Sequence, residues 1–314
     1  MKSLLCVINK KAANGSVLAR LPQLEALFKE FNLKTQILDL TEAGFEDALV
    51  DCFESFKPSV ILGVGGDGTQ HSLVNTLEKF RTLGHKIPAY AICPFGTGND
   101  VAKSIGLRPG KRHLKKIIAA AVEGKACDFD VGYVNEEIER HFVDMTSFGL
   151  DVQILKRRDT YTRKIMNTPF RFIHGYIIYF FAVLMGLKNS HWNCRILLDG
   201  KEWYDGKFAC IMVNNCRIHA GEFDLTPNAL FDDGLLDICL MKSRPAFMWR
   251  YIKGWRHMPA FIRERKNPLN AQAKEIKIIS SELMPLQIDG ELYPSLKSST
   301  LTVISEPMKM MRPQ

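Results

Sequence analysis

The sequence predicts an α/β domain followed by an antiparallel β domain. Up to about residue 125, short apolar runs alternate with amphipathic stretches of helical period. After Asp128-Phe129-Asp130 the pattern changes to strand-like runs separated by turn residues. Two glycine-rich loops each follow an apolar run of the first part. Because such loops gather at one edge of a parallel sheet, we expect a functional site there.

The first domain, residues 1–128, is predicted from its alternating elements. The strand-like runs are 4–8, 35–40, 60–64 and 89–93. Two apolar stripes at helical spacing lie between them: Val17, Leu21, Leu24, Phe28 and Phe31, then Phe45, Ala48, Leu49, Cys52 and Phe56. Alternation of strands and helices predicts a parallel sheet covered by helices.

The first glycine loop is Gly65-Gly66-Asp67-Gly68-Thr69. It follows Val60–Val64, and Thr69 is expected to cap a helix that carries Leu73, Val74, Leu77 and Phe80. A strand that leads through glycines into a helix directs backbone N–H groups toward an anion, so the loop is typical of a phosphate site.

The second glycine loop, Pro94-Phe95-Gly96-Thr97-Gly98-Asn99-Asp100, follows the run 89–93. Asn99 or Asp100 is placed to cap a short helix. Two adjacent loops of this kind suit one triphosphate, whereas the alternative is a pair of tight turns. No Lys follows the glycines and the G-x-G-x-x-G spacing is missing, which disfavours a Walker-type loop and a dinucleotide-dependent oxidoreductase.

The second part of the chain, residues 129–299, is predicted to be antiparallel. Its strand-like runs are 195–198, 208–213, 235–240 and 275–279. Turn dipeptides of the Asp-Gly type recur at Asp199, Asp205, Asp233 and Asp289, as expected of hairpins.

Composition indicates which partners and which cellular compartment suit this protein. Lys and Arg exceed Asp and Glu by 8, which suits an anionic partner such as a nucleotide, a nucleic acid or an anionic lipid surface. The eight cysteines form no C-x-x-C pair and are expected to be reduced core residues of a cytoplasmic protein. The longest apolar run, 177–187, is shorter than a bilayer requires. The basic tail from Met308 to Gln314 is expected to be frayed.

The paired loops resemble those of the diacylglycerol kinase catalytic domain family, in particular its bacterial soluble lipid kinases. The resemblance extends from about Ser3 to about Val303. It implies that residues 129–299 form a β-sandwich that takes a lipid substrate, with the active cleft between the domains. A last strand near 300–305 would return to the first domain, which residues 300–314 would complete. NAD kinases and phosphofructokinases share the first loop, so the second loop decides among them.

The resemblance also implies which residues bind ATP as co-substrate. They are Asn9, Lys10, Thr41, Gly65, Gly66, Asp67, Gly68 and Thr69 around the first loop, and Gly96, Thr97, Gly98, Asn99 and Asp100 in the second. In the family, the loop near Asn9 often contains Pro or an earlier Gly, and neither is present here.

The predicted catalytic residues are Glu291, Asp289 and Asp67. Asp289-Gly290-Glu291 matches the late acidic motif of the family, which implies that Glu291 accepts a proton from the acceptor hydroxyl and that Asp289 assists it. Without that match, an ordinary hairpin turn is the better interpretation.

A Mg²⁺ site is implied by the segment from Leu230 to Asp237. Transferred position by position, its ligands are the Asp233 carboxylate and the carbonyls of Leu230 and Leu235, and oxygen ligands suit a hard cation. The alternative is an acidic turn before a strand. Just upstream, Ala220-Gly221-Glu222 replaces a run of three glycines that is common in the family, so the acceptor substrate is left open.

Two basic, apolar segments are candidates for contact with a membrane. The first, 245–266, carries Phe247, Tyr251, Trp255 and Phe261 at roughly helical spacing among Lys and Arg residues. The second contains Lys156-Arg157-Arg158 and the apolar helix to Leu187. The alternative is that the apolar stripe packs inside the second domain and the cations face solvent.

The leading functional prediction is an ATP- and Mg²⁺-dependent kinase that phosphorylates a hydroxyl of diacylglycerol or a related lipid, as a step of phospholipid metabolism. We expect a cytoplasmic enzyme with peripheral contact at the inner membrane face and no nucleic-acid partner. The sequence leaves a homodimer open. The alternatives are an NAD kinase of the same superfamily and a non-catalytic nucleotide-sensing protein.

Overall fold

Two separate β-sheets organise the chain. They are seen in a computed structural model that describes residues 2–15, 17–96, 98–108, 110, 113–166, 191–255, 257–263 and 269–312. The apolar run 177–187 and the residues Thr97 and Arg171 lie outside the described ranges.

The first sheet has six strands and is mainly parallel. Its strands are β1 (Ser3–Ile8), β2 (Lys34–Asp39), β3 (Val60–Gly65), β4 (Ala89–Pro94), β5 (Lys125–Phe129) and β18 (Met308–Arg312), in the spatial order β2-β1-β3-β4-β18-β5. β5 pairs antiparallel with β18, and the other neighbours are parallel. This arrangement confirms the predicted α/β domain.

Helices cover this sheet. They are α1 (Leu21–Glu30), α2 (Phe45–Asp51), α3 (Asp67–Thr82), α4 (Asp100–Ser104) and α5 (Leu114–Glu123), with short 3-10 turns at Ala12–Gly15 and Leu18–Arg20 and a π-helical turn at Cys52–Phe56. β1 and β3 are buried along nearly their whole length, since helices lie on both faces of a parallel sheet. The loops after β3 and β4 are therefore brought side by side.

The strand that returns to the first domain is not the predicted one. Residues 300–303 belong to β17 (Glu291–Val303) in the second sheet, and the returning strand is β18. The expectation of a frayed tail is wrong for 308–312, because Met308 and Met310 are fully buried between β4 and β5. Unbranched methionine side chains fill such a gap readily.

The second sheet is antiparallel throughout and forms the β-sandwich. Its remaining strands are β6 (Gly132–Asn135), β7 (Arg140–Phe142), β8 (Met145–Gly149), β9 (Trp192–Leu198), β10 (Lys201–Phe208), β11 (Cys210–Asn214), β14 (Leu236–Met241), β15 (Asn270–Ala273) and β16 (Glu275–Ile288). The short β12 (Ile218–His219) and β13 (Phe223–Asp224) pair with each other, and Phe223 also forms an isolated antiparallel bridge with Trp255. The long β16 pairs with β9 near its start and with β8 near its end, so it joins both layers of the sandwich.

In the described part of the second domain there are three helices: α6 (Leu150–Met166), α7 (Arg244–Gly254) and α8 (Ala260–Arg263). α6 and α7 pack together through a small apolar cluster that includes Leu150, Ile154, Phe247 and Tyr251. Among the described residues, no helix combines the length and the apolar character that crossing a membrane requires.

Candidate active site

A cavity of about 180 Å³ lies between the two domains. Its walls come from both glycine-loop regions and from the second domain: Asp67, Gly98, Asp100, Asp144, Met145, Asp151, Leu155, His219, Ala220, Gln287, Asp289 and Gly290. The arrangement places the carboxyl ends of β3 and β4 opposite the β-sandwich, where a ligand of an open α/β sheet is expected.

The first glycine loop leads directly into α3. The helix begins at Asp67 with Gly66 as its N-cap, two residues earlier than the predicted start at Thr69. The reason is that the amides of Thr69 and Gln70 both donate to the Gly66 carbonyl, at 2.9 and 3.1 Å. Thr69 instead turns its hydroxyl toward Asn9, whose Nδ2 donates to it at 3.2 Å. The structure thus brings together the predicted residues Asn9 and Thr69.

The two glycine loops touch at their backbones. A Cβ built on Gly66 would lie 2.8 Å from the Gly96 Cα, and one built on Gly96 would lie 2.4 Å from the Gly66 Cα. Asp67 also joins the loops, because its carboxylate accepts from the amides of Asn99 at 2.7 Å and Asp100 at 2.8 Å. Both loops therefore form one rigid unit at the cavity.

The Asn99 side chain forms two hydrogen bonds within the second loop, both to the backbone of Gly96. Its Oδ1 accepts from the Gly96 amide and its Nδ2 donates to the Gly96 carbonyl, both at 2.7 Å. Its backbone has φ 53°, in the left-handed region that Asn tolerates better than most residues. Asn99 precedes α4, as predicted.

The segment that replaces the three family glycines contacts the second loop. Asp100 Oδ1 accepts from the Gly221 amide at 2.6 Å, and Lys103 Nζ donates to the Gly221 carbonyl at 2.8 Å. Ala220 lines the cavity with φ 48°, a conformation that costs a non-glycine residue some strain. The substituted segment thus contacts the second glycine loop and also borders the cavity.

Asp289-Gly290 forms a two-residue hairpin turn and also belongs to the site. Ile288 pairs with Glu291 across it, and both turn residues have positive φ, 49° and 84°, as in a type I′ turn. The Asp289 carboxylate accepts from the amides of Val143, Asp144 and Met145 at 2.9 to 3.0 Å. The hairpin interpretation is confirmed, and the same turn lines the cavity, while the catalytic role of the motif stays a prediction.

His71 on α3 holds the same carboxylate from the first domain. Its Nδ1 lies 3.0 Å from Asp289 Oδ2 and its Nε2 lies 2.9 Å from the Tyr293 hydroxyl. His71 thus links Asp289 in the hairpin turn to Tyr293 on β17, with the donor and acceptor roles of its two nitrogens set by the tautomer. His71 lies one helical turn after Asp67, but nothing in its sequence neighbourhood marked it.

Glu291 reaches the first glycine loop. Its side chain is exposed, and a Cβ built on Gly68 would lie 3.0 Å from Glu291 Oε1. The hairpin turn thus places the Glu291 carboxylate, the predicted base, next to the start of α3 on the other side of the cleft.

The cavity is strongly acidic, since five aspartates line it. Burial, together with the charge of Asp67, raises the pKa of Asp100 to about 8. Burial also raises the pKa of Asp67 and, with three neighbouring carboxylates, holds that of Asp144 well above its usual range. Asp144 Oδ1 has no hydrogen-bond partner among the described residues. Such a wall favours a cationic or proton-donating ligand group over an anionic one.

The far end of the cavity is a polar network that the sequence did not indicate. Asp151 on α6 accepts from Ser147 at 2.8 Å and from the Tyr251 hydroxyl at 3.1 Å. The Tyr251 oxygen lies 3.0 Å from His219 Nε2. Gln287 donates to Ser147 at 2.9 Å, which extends the network across the cavity wall. These residues come from separate parts of the chain, so no spacing reveals them.

The predicted residues Lys10 and Thr41 meet at Asp39, which was not predicted. Thr41 donates to Asp39 Oδ1 through its amide and its hydroxyl at 3.0 and 2.9 Å, and Lys10 Nζ lies 3.3 Å from Asp39 Oδ2. Burial alone would raise the pKa of Asp39, but these hydrogen bonds lower it. Asp39 ends β2, and its place two residues before Thr41 was an available signal.

The predicted Mg²⁺ turn lies outside the walls of the cavity. Asp233 Oδ1 accepts from the Leu235 amide at 3.0 Å, and Asp130 accepts from the Gly234 amide at 2.7 Å. Burial, followed by the nearby charges of Asp233 and Asp232, raises the pKa of Asp130. No group of three His, Cys, Asp or Glu side chains is placed to hold a metal within the described part of the chain. The ligand set of one carboxylate and two carbonyls stays a prediction.

Comparison with protein families identifies both parts of the chain. Residues 3–134 match the diacylglycerol kinase catalytic domain, and residues 149–311 match the YegS C-terminal NAD kinase β-sandwich-like domain. The protein named probable lipid kinase YegS of Escherichia fergusonii is 28% identical over 91% of this chain and 88% of its own length. Lipid kinase YegS of Escherichia coli K12 is 28% identical over 72% of this chain and 71% of its own.

Solved structures share the fold. A diacylglycerol kinase from Bacillus anthracis superposes with a TM-score of 0.71 at 21% identity, covering 99% of this chain and 97% of the other. An NAD kinase from Archaeoglobus fulgidus in complex with ATP gives a TM-score of 0.54 at 10% identity, covering 99% and 94%. The resemblance therefore includes the two-domain architecture as a whole.

Proposed function

The chain belongs to the bacterial lipid kinases that join a diacylglycerol kinase catalytic domain to a YegS-type β-sandwich, and from that premise we propose that it transfers the γ-phosphate of ATP to a hydroxyl of diacylglycerol or a related lipid. The observation that carries the proposal is the position of Glu291, whose carboxylate meets Gly68 at the first glycine loop. A base in that place stands where an acceptor hydroxyl must approach a bound phosphate.

The two glycine loops would bind the phosphates of ATP. Their backbones are in contact and Asp67 ties them together, so their amides are held in place before a ligand arrives. Preorganised donors of this kind stabilise charge that develops during transfer. In this proposal Asp67 mainly positions the two loops. A direct role of Asp67 in catalysis stays a prediction.

Asp289 would position Glu291. Three amides and His71 hold its carboxylate, which leaves it little freedom to accept a further proton. A fixed Asp289 fixes the hairpin, and the hairpin sets the distance between Glu291 and the first loop.

A divalent cation fits the chemistry of this chain. Asp233 with the carbonyls of Leu230 and Leu235 would hold Mg²⁺, and the crowding of Asp130, Asp232 and Asp233 supplies the negative charge that a cation would relieve. Because this turn lies outside the cavity, a cation held there would be structural and would not contact the transferred phosphate.

The acceptor would enter at the end of the cavity formed by Asp151, Tyr251 and His219. No Lys or Arg is among the described residues that line the cavity, so a headgroup that already carries a phosphate would be buried there without a cation to pair with. An uncharged hydroxyl headgroup such as that of diacylglycerol meets no such penalty.

The test is transfer of label from γ-labelled ATP with Mg²⁺ into a panel of lipids in mixed micelles. We expect label in an uncharged glycerolipid, less in phosphatidylglycerol, and loss of turnover by about two to four orders of magnitude in Glu291→Ala because the base is removed. Binding of ATP by that variant should be retained.

NAD serves as a parallel acceptor in the same assay. Label in NAD would reassign the protein to the NAD kinases. Absence of transfer to any acceptor, with ATP still bound, would favour a nucleotide sensor, and an unchanged rate in Glu291→Ala would remove Glu291 from the mechanism.

A further inference from the structure

Large apolar side chains are exposed on α7 and α8. On α7, Trp249 is 56% exposed and Ile252 43%; Trp255, directly after the helix, is 46% exposed, and Phe261 on α8 is 77% exposed. Ile252 and Lys253 follow Trp249 by three and four residues along α7, so these three share one face. We call these five residues the aromatic face.

The opposite side of α7 is the one that the fold uses. Phe247, Arg250, Tyr251 and Gly254 are buried at the spacing of a single helical face. Phe247 and Tyr251 pack in the apolar cluster of the second domain, and Arg250 donates to the Leu225 carbonyl. The sequence placed Phe247, Tyr251, Trp255 and Phe261 in one stripe, but the structure separates an inner set from an outer one. Core packing therefore accounts for the inner set and leaves the outer set unexplained.

The charge of this region favours one kind of partner. By sequence, residues 242–266 carry seven Lys or Arg besides the buried Arg250, and a single acidic residue, Glu264. Lys253 Nζ lies 5.3 Å from the centre of the Trp249 ring, so a cation and an aromatic ring are presented together. Tryptophan and basic residues on an exposed helix match the headgroup layer of an anionic bilayer, where the rings enter the interface and the cations meet phosphate.

We propose that the aromatic face docks the protein on an anionic lipid bilayer. This docking rests on the proposed function. The aromatic face would be the surface through which the kinase meets its lipid substrate. Besides charge, position supports this docking: on the inner face of the same helix, the Tyr251 hydroxyl contacts Asp151 and His219, two residues that line the cavity. Docking through the outer face of α7 would therefore place the bilayer against a helix that also contacts the cavity wall.

The test is sedimentation of the full chain with vesicles, without ATP. One vesicle contains phosphatidylcholine alone and the other equal parts of phosphatidylcholine and phosphatidylglycerol. We expect binding to the mixed vesicle that weakens with added salt, and an affinity lower by about tenfold or more in the double variant Trp249→Ala, Phe261→Ala, because two interfacial anchors are lost. Lys253→Gln should weaken binding to the mixed vesicle only.

Matched controls come from apolar side chains exposed elsewhere. Leu283 on β16 is 58% exposed and Leu83 after α3 is 67% exposed, so Leu283→Ala and Leu83→Ala remove comparable apolar surface without touching the aromatic face. Both should bind vesicles as the parent does. Trp249→Phe should also retain binding, since phenylalanine still anchors at an interface. Thermal unfolding would confirm that all variants are folded.

A second assay separates this proposal from the proposed function. Turnover on a short-chain diacylglycerol dissolved as monomers needs no bilayer, so the double variant should retain it while losing activity on vesicles. If the parent fails to bind mixed vesicles at low salt, or the double variant binds as well as the parent, the docking proposal is wrong. If vesicle binding behaves as expected but no acceptor is phosphorylated, the docking proposal holds and the kinase proposal fails.

Discussion

Asp289 shows how one residue serves both structure and the candidate site. As the first residue of a type I′ turn it adopts a left-handed backbone, which Asp tolerates, and its buried carboxylate collects three amides and a histidine. Asp199 occupies the same place in the hairpin between β9 and β10, where its exposed side chain accepts from the amides of Lys274 and Glu275. Turn chemistry is thus the same at both positions, and burial distinguishes them.

The comparison of Asp289 with Asp199 predicts different effects for the same substitution at the two positions. Asp289→Asn turns an amide N–H₂ group toward backbone donors, so we expect a loss of about 1–3 kcal/mol in the free energy of unfolding and a fall in turnover through the displaced Glu291. Urea unfolding and the labelled-ATP assay measure the two effects. Asp199→Asn is the matched control and should change neither by much; equal losses in both variants would contradict the special role of Asp289.

At the scale of elements, Gly66 and Gly68 of the first glycine loop have different neighbours, and a larger side chain would meet a different obstacle at each position. Gly66 is pressed against the Gly96 backbone, which cannot move aside, whereas Gly68 lies in the first turn of α3 and faces only the flexible end of Glu291. One glycine is required by the packing of two loops and the other by the neighbour across the cleft.

The two substitutions should therefore separate stability from activity. Gly66→Ala should lower the free energy of unfolding by about 1–3 kcal/mol because it forces the loops apart. Gly68→Ala should leave stability unchanged or raise it by up to about 1 kcal/mol through helix propensity, while turnover falls because Glu291 is displaced. Unfolding curves and initial rates decide the matter, and full activity in Gly68→Ala would argue against Glu291 as the base.

For the molecule as a whole, the end of the chain holds the first domain together. The chain leaves that domain after β5, builds the entire β-sandwich, and returns as β18 between β4 and β5. Without β18 the first sheet would be split and the apolar surface of Met308, Met310 and Met311 would be lost. The two domains are consequently linked by two crossings of the chain.

Truncation tests whether β18 is needed for a stable first domain. Removal of residues 306–314 exposes the edges of β4 and β5 and deletes three buried side chains, each worth about 1.5–3 kcal/mol. Because domains are stable by only about 5–15 kcal/mol, we expect the truncated chain to be insoluble or to lose cooperative unfolding. Removal of 313–314 alone is the control and should leave the melting temperature unchanged; a stable, cooperative protein ending at residue 305 would show that β18 is dispensable.

The sequence by itself determined the class of fold and much of the glycine-loop side of the candidate site. Strand period, helical stripes and the glycine loops are local patterns, and the residues that read as strands β1, β3 and β4 lie in strands. Asn9, Gly66, Asp67 and Asn99 meet as predicted because the ends of neighbouring parallel strands must meet at one edge. Local pattern also sufficed for the hairpin at Asp289.

Tertiary structure alone decided the rest. The return of β18 depends on a gap between strands distant in sequence, and the outward direction of the aromatic face depends on which side of α7 the β-domain covers. The network of Asp151, Tyr251 and His219 joins residues up to 100 positions apart in the chain. Such contacts arise from long-range packing, and no local period or spacing encodes them.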